Sequence, residues 1–321
     1  MSDQRSNEDG DARETSELRR RAFVRRTSGE SDPQPAAPPT IDSEELMIVG
    51  LIAESRRARV LHGYDTRRRR HVAIKEIFGP LSDIAQARFA REAALPSQLR
   101  HPGIVEIVGT GRWPEGNHFY VMRMIHGHEL SHLLDQTRAL RERLMLLRHV
   151  TAIADAMAHA HRRRIIHRDL KPENIMISAR GQAVIIDWGI AKDLGAAEDS
   201  PSPEDSLTSD PLRTHDGQII GTPAYMPPEQ ARGERVDARA DVYAIGAILL
   251  HVLTGQPPYP GDNAQKIVEQ VLAGPPRSLD RVPSTIRPEL VEVARRAMAH
   301  DPDERYRDSN DLALALHRLA V

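Results

Sequence analysis

An α+β fold, with strands early and helices late, is predicted by three observations. Short β-like runs occur at 47–52, 58–64 and 71–78, and 118–125 reads as a further, edge strand. Beyond them lie an amphipathic helical pattern over 140–161 and a strongly apolar one that opens at Asp241. Between the two helices sits a polar octet, His167-Arg-Asp-Leu-Lys-Pro-Glu-Asn174, which gathers a carboxylate, an ammonium and a carboxamide on one loop. Asp169 can accept a proton from an attacking hydroxyl, Lys171 can hold negative charge on a transferring group, and Asn174 can offer its carbonyl oxygen to a hard cation. The apolar run Ala183-Val-Ile-Ile then delivers a second carboxylate, Asp187. Asn174 and Asp187 together suit a Mg²⁺ that keeps most of its shell for water and phosphate.

The composition fits an enzyme of this kind. At 321 residues and 40% apolar content the chain can bury a sizeable core. The formal net charge of -2 excludes charge-driven binding to nucleic acid or a membrane surface. With no cysteine there is no disulfide, thiolate metal site or thiol nucleophile. No run reaches the roughly 18 apolar residues of a membrane span, and the N-terminus carries no apolar signal core, so the expected compartment is the cytoplasm. Residues 1–42, rich in charge, Ser, Gln and Pro, are expected to form a disordered tail.

Of 44 basic residues only Lys75, Lys171, Lys192 and Lys266 are lysine. Each is therefore a candidate for a position that the broad guanidinium cannot fill. Lys75 ends the run Val72-Ala-Ile-Lys75, where an ammonium is costly unless an anion meets it. Glu92 is the expected anion, on a helical pattern over 84–99 whose apolar side carries Phe89 and Leu95. Pro96 is expected to shorten or kink that helix.

The octet followed by Asp187-Trp-Gly189 resembles the catalytic loop and metal-binding turn of protein kinases, with Trp188 where Phe is usual. Val72-Ala-Ile-Lys75 is similar to the third strand of their small lobe, and 118–127 resembles the interlobe segment of bacterial, eukaryotic-like serine/threonine kinases. The resemblance implies a bilobal protein-kinase fold over 43–321, with a small β-rich N-lobe at about 43–122 and a larger, mainly helical C-lobe at about 128–321. It implies ATP with Mg²⁺, or Mn²⁺ in its place, and transfer of the γ-phosphoryl group to Ser or Thr of proteins. Carried over residue by residue, Asp169, Lys171, Lys75 and Glu92 would be catalytic, and Asn174 and Asp187 would hold the metal. Lys75, Val60, Ala73, the gatekeeper Met122, Met124, Ile125 and Met176 would surround the nucleotide. The family's glycine-rich loop falls on Ala53, Ser55 and Ala58, with all three glycines replaced. Backbone approach to the phosphates is thereby restricted, and Arg56 and Arg57 at the tip could supply charge instead.

Gly221-Thr-Pro-Ala-Tyr-Met-Pro-Pro-Glu229 resembles the end of an activation segment, and Arg305 the arginine that pairs with its glutamate. Asp241 corresponds to the aspartate that supports the catalytic-loop backbone. Arg168 beside Asp169 implies control by a loop phosphate, with Thr214 the favoured autophosphorylation site and Asp216 standing in for part of a second phosphate. A cluster at 200–209 offers other acceptors. Two other readings stay open. One is a pseudokinase acting as a binding or scaffold protein, suggested by the altered glycine loop. The other is a small-molecule phosphotransferase, which the peptide-docking segment argues against.

Overall fold

The structure, a computed structural model, describes residues 38–55, 58–78, 83–194 and 223–319. Its first part is a five-stranded antiparallel sheet built from β1 (Leu46–Glu54), β2 (Ala58–Asp65), β3 (Arg70–Ile77), β4 (Ile107–Arg112) and β5 (His118–Arg123), in the order β1-β2-β3-β5-β4. Both faces are covered, which is why β3 and β5 read as nearly continuous apolar runs. On one face Ile41, Leu46, Leu61, Val72, Ile74, Val108, Phe119 and Val121 form a small core. On the other, Ile77 and Tyr120 pack against Phe89 and Ala93 of α1 (Asp83–Ser97). β1 lies at one edge and leaves Met47, Ile48, Val49, Leu51 and Ile52 exposed.

Two expectations about this part need correction. The run at 118–125 reads as an edge strand leading into the lobe hinge, but β5 is internal, paired with β3 on one side and β4 on the other. The pairing is long-range: β3 and β5 are separated in sequence by α1 and β4, and local pattern carries no sheet order. The boundary at residue 42 also moves. Ile41 is 2% exposed, its N–H donates to Thr110 O at 2.7 Å, and Thr110 N–H donates to Pro39 O at 2.9 Å, so residues 39–42 are fastened along β4. Pro96 acts as anticipated. It sits in the last turn of α1, after which Gln98 and Leu99 close with tighter bonds to Leu95 O and Pro96 O.

The second part is helical. In chain order come β6 (Gly127–Glu129), α2 (Leu130–Gln136), α3 (Leu140–Leu144), α4 (Leu147–Arg162), β7 (Ile165–Ile166), β8 (Ile175–Ser178), β9 (Ala183–Ile185), β10 (Lys192–Asp193), α5 (Pro228–Ala231), α6 (Ala238–Thr254), α7 (Ala264–Ala273), α8 (Pro288–Ala297) and α9 (Ser309–Leu319). α6 is the axis of this part. It is capped by Asp237, whose side chain accepts from Arg239 N, ends at Gly255 in the left-handed conformation, and is buried from Ala240 to Leu253. α4 and α8 pack on it, and at Gly246 an added Cβ would lie 2.6 Å from that of Ala297, so the α6–α8 approach needs glycine.

The helix expected over 140–161 is two helices, α3 and α4. Met145 and Leu146 close with N–H bonds to Glu142 O and Arg143 O, three residues back, and the axis is interrupted there. The cause is tertiary. Arg143 is buried and spends its guanidinium on Val252 O at 3.2 Å and Arg138 O at 2.7 Å, which ties the short α3 to the end of α6. No helix among the described residues is long and apolar enough to cross a membrane.

Candidate active site

The catalytic-loop candidates are assembled from below. The backbone N–H groups of His167 and Arg168 donate to Asp241 Oδ2 and Oδ1, each at 2.9 Å, and Arg168 takes a positive φ of 68° at this bend. Asp241 is 1% exposed. Burial pushes its pKa up, but the donors His161 and His167 outweigh that and hold it below the usual carboxylate range. His161 Nε2 lies 2.9 Å from Asp241 Oδ2, while its Nδ1 accepts from Ser309 N at 3.2 Å. His161 thus joins the first residue of α9 to the support of the loop.

On that base Asp169 meets its neighbours. Lys171 Nζ donates to Asp169 Oδ2 at 2.8 Å, and Asn174 Nδ2 donates to Asp169 O at 2.8 Å and Oδ2 at 3.0 Å. With its amide nitrogen turned inward, Asn174 has its carbonyl oxygen left to offer. Asn174 O in turn accepts from Ile186 N at 3.0 Å, which sets Asn174 beside the residue preceding Asp187. Asp187 follows β9, is half-buried, and accepts from Gly189 N at 3.0 Å. Burial pushes its pKa up, but Lys75 and the Gly189 N–H more than offset this and the net shift is downward. A pair of hard oxygen donors with open sides is the set that fits a Mg²⁺ retaining water and phosphate ligands. Trp188, 1% exposed, packs edge-on against His167 with ring centroids 4.7 Å apart, filling the space under both motifs.

Lys75 arrives from the sheet. In the antiparallel register Ala53 faces Val60, Val60 faces Lys75, and Lys75 faces Tyr120; two residues along, Ala73 faces Met122. Cross-strand partners share a face, so the sheet itself brings Val60, Ala73, Lys75 and Met122 to the side covered by α1. Lys75 forms the anticipated ion pair with Glu92 of α1 and lies 3.7 Å from Asp187 Oδ1, linking the two lobes. Burial alone would lower the Lys75 pKa; Glu92 and Asp187 reverse that and raise it. For Glu92 burial raises the pKa and prevails over Lys75.

The other nucleotide-site candidates are less closely joined. Met122, Met124 and Ile125 are half-buried around the end of β5, and Met122 and Ile125 also pack against the large core. Met176 is half-buried on β8, opposite Val184. Ala53 and Ser55 are exposed and Ala58 half-buried. Here the altered loop has a specific shape: Ser55 N donates to Ala58 O at 2.8 Å, Ser55 Oγ donates to the same oxygen at 2.9 Å, and Ala58 N donates back to Ser55 Oγ at 3.2 Å. Ser55 and Ala58 are thus bonded to each other, and the Ala58 amide is committed to Ser55. Arg56, Arg57, Thr214, Asp216, Thr222 and the acceptors at 200–209 lie outside the described residues.

Glu229 and Arg305 make the expected pair, bidentate at 2.7 and 2.8 Å, with Arg305 3% exposed. Three contributors escaped the sequence reading. Tyr120 donates to Glu92, Arg88 Nε donates to Gly189 O at 3.1 Å, and His161 supports Asp241. A tyrosine in an apolar strand reads as core, and a histidine in a helix's last turn as a helix-end charge. Only long-range contacts distinguish them.

A protein kinase domain model matches residues 49–313. Among curated proteins the chain is similar to a probable serine/threonine-protein kinase of Streptomyces coelicolor, 35% identical over 79% of this chain and 37% of the relative. Serine/threonine-protein kinase PknD of Mycobacterium tuberculosis is 36% identical over 84% of this chain and 39% of its own length. PknB of Mycolicibacterium smegmatis is 34% identical over 86% and 42%. The chain thus spans about two fifths of the length of the curated relatives it matches.

Proposed function

This chain belongs to the protein kinase family, and on that premise we propose that it transfers the γ-phosphoryl group of ATP to serine or threonine of protein substrates, itself included. The observation that carries the reading is the clustering of two sets: Lys171 and Asn174 on Asp169, and Lys75 on Asp187, joined by the bond from Ile186 N, next to Asp187, to Asn174 O. Asp169 receives the acceptor hydroxyl's hydrogen bond and orients it for in-line attack. Lys171, beside it, neutralises charge gathering on the transferred group. Lys75, held by Glu92, orients the nucleotide phosphates. Asn174 and Asp187 would hold Mg²⁺, which would supply positive charge against the phosphates. Val60 and Ala73 would cover the adenine, with Met122 and Met176 about it and the backbone of Met124 and Ile125 within its reach. ATP as donor implies the cytoplasm.

Such a site needs little covalent chemistry from the protein, since positioning and electrostatic stabilisation supply most of the acceleration. The experiment is incubation of the purified chain with labelled Mg²⁺-ATP and a generic basic protein, with Asp169→Asn as the control. Label on Ser or Thr, absent in the control, is the expected result. Binding of Mg²⁺-ATP with no turnover would instead select the pseudokinase reading. Mapping of the autophosphorylated chain should find Thr214; modification confined to 200–209 refutes that site.

A further inference from the structure

Tyr120 sits on β5 opposite Lys75, is 2% exposed, and packs its ring on Phe89 of α1 with centroids 5.2 Å apart. From there its hydroxyl donates to Glu92 Oε1 at 2.7 Å, the same oxygen that accepts from Lys75. Glu92 is itself 8% exposed, so water can do little for its charge and each protein donor counts for more than it would at the surface. One turn earlier on α1, Arg88 donates to Gly189 O. The helix is therefore tied at two points, to β5 through Tyr120 and to the Asp187-Trp-Gly189 turn through Arg88.

We propose that Tyr120 is a positioning residue for phosphoryl transfer: its hydroxyl holds Glu92 where Lys75 can meet it, and so fixes α1 against the sheet in the arrangement that presents Lys75 to the nucleotide phosphates. The inference rests on the reading of Lys75 as the phosphate-orienting charge. Lys75 has a second carboxylate at hand, Asp187 at 3.7 Å. If Glu92 loses its grip, Lys75 turns to Asp187 and both are withdrawn from the phosphates and the metal at once. The tyrosine is suited to the task because burial raises its pKa well above the ordinary value, so the hydroxyl remains a donor. Its ring, meanwhile, is part of the apolar contact that seats α1. A phenylalanine would keep the seat and lose the tie.

The test compares Tyr120→Phe and Glu92→Gln with the native enzyme, measuring kcat, KM for ATP, KM for the protein substrate, and thermal stability. For Tyr120→Phe the expected result is a fall in kcat/KM for ATP of about tenfold, the weight of one hydrogen bond to a charged group. Much of it should appear as a raised KM for ATP, with KM for the protein substrate unchanged. A variant harmed only in folding loses active molecules, so kcat falls while KM for ATP stays put; that result overturns the proposal. So does native kinetics in Tyr120→Phe alongside a crippled Glu92→Gln, because Glu92 would then need no help from the hydroxyl. Full activity in Glu92→Gln strikes at the underlying reading of the Lys75–Glu92 pair instead, and is separable from the other outcomes.

Discussion

The catalytic loop and the β1–β2 turn are both short polar stretches that the kinase reading sets around one nucleotide, and they are built in opposite ways. The loop is held by side chains from far along the chain: Asp241 on the backbone of His167 and Arg168, His161 behind Asp241, Ser309 behind His161. Its functional groups are left facing one another. Among the described residues the turn is tied between its own Ser55 and Ala58, through bonds that occupy the amides of both. The loop's charged groups are secured by distant residues, while the described part of the turn spends backbone groups on its own closure. Loss of uniform binding appears in KM, whereas loss of transition-state stabilisation appears in kcat. This kinase should therefore turn over with a usable kcat while holding ATP loosely.

The largest effect expected lies on the preserved side. Lys75→Met should lower phosphoryl transfer at least about 100-fold with the fold intact, since Glu92 keeps Tyr120 as a donor and burial already favours its protonation. Full activity by radiolabel assay would show that the orienting charge comes from elsewhere, Arg56 and Arg57 being the candidates. Next is Arg305→Ala, which leaves the buried Glu229 without its bidentate partner and should cost about 3–5 kcal/mol by urea denaturation. A loss below about 1 kcal/mol, the level of a surface pair, would mean that Glu229 does not depend on Arg305 for its charge.

On the other side, glycine at positions 53, 55 and 58 together should lower KM for ATP, each tenfold gain corresponding to about 1.4 kcal/mol. It also removes the Ser55 hydroxyl that closes the turn. An unchanged KM would acquit the turn. The smallest effect is on pH dependence. Burial lowers His149 and His251 from 6.5 to about 4 in the folded chain. The unfolded chain therefore takes up protons first on acidification, and the stability contributed by these neutral imidazoles is lost as pH falls from 6.5 towards 4. His251 accepts from the Tyr225 hydroxyl at 2.8 Å only while Nδ1 is unprotonated. The denaturation midpoint should decline over that window, and less steeply in His251→Gln; equal slopes would sink the assignment.

What was legible in the sequence follows the same division. Lys75 with Glu92 could be read because a polar residue in an apolar setting advertises a partner, while the octet, Asp187, and Glu229 with Arg305 could be read through their resemblance to family motifs; the structure pairs Lys171 with Asp169, Lys75 with Glu92 and Arg305 with Glu229. The break between α3 and α4 was not legible. Leu144, Met145, Leu146 and Leu147 continue a good helical pattern, and the interruption comes from where Arg143 must reach. The internal place of β5 and the tie from Tyr120 were hidden for a related reason, since both depend on which strand arrives beside which.

The support chain from Ser309 through His161 and Asp241 to His167 also sets a time at which activity can begin. These residues are 148, 80 and 74 positions apart in sequence, so the support of the loop is not complete until the chain has emerged as far as α9. At roughly 5–20 residues per second of synthesis, the interval between His167 and Ser309 is on the order of 10–30 s. A nascent chain thus carries Asp169 long before the residues that support its loop are made.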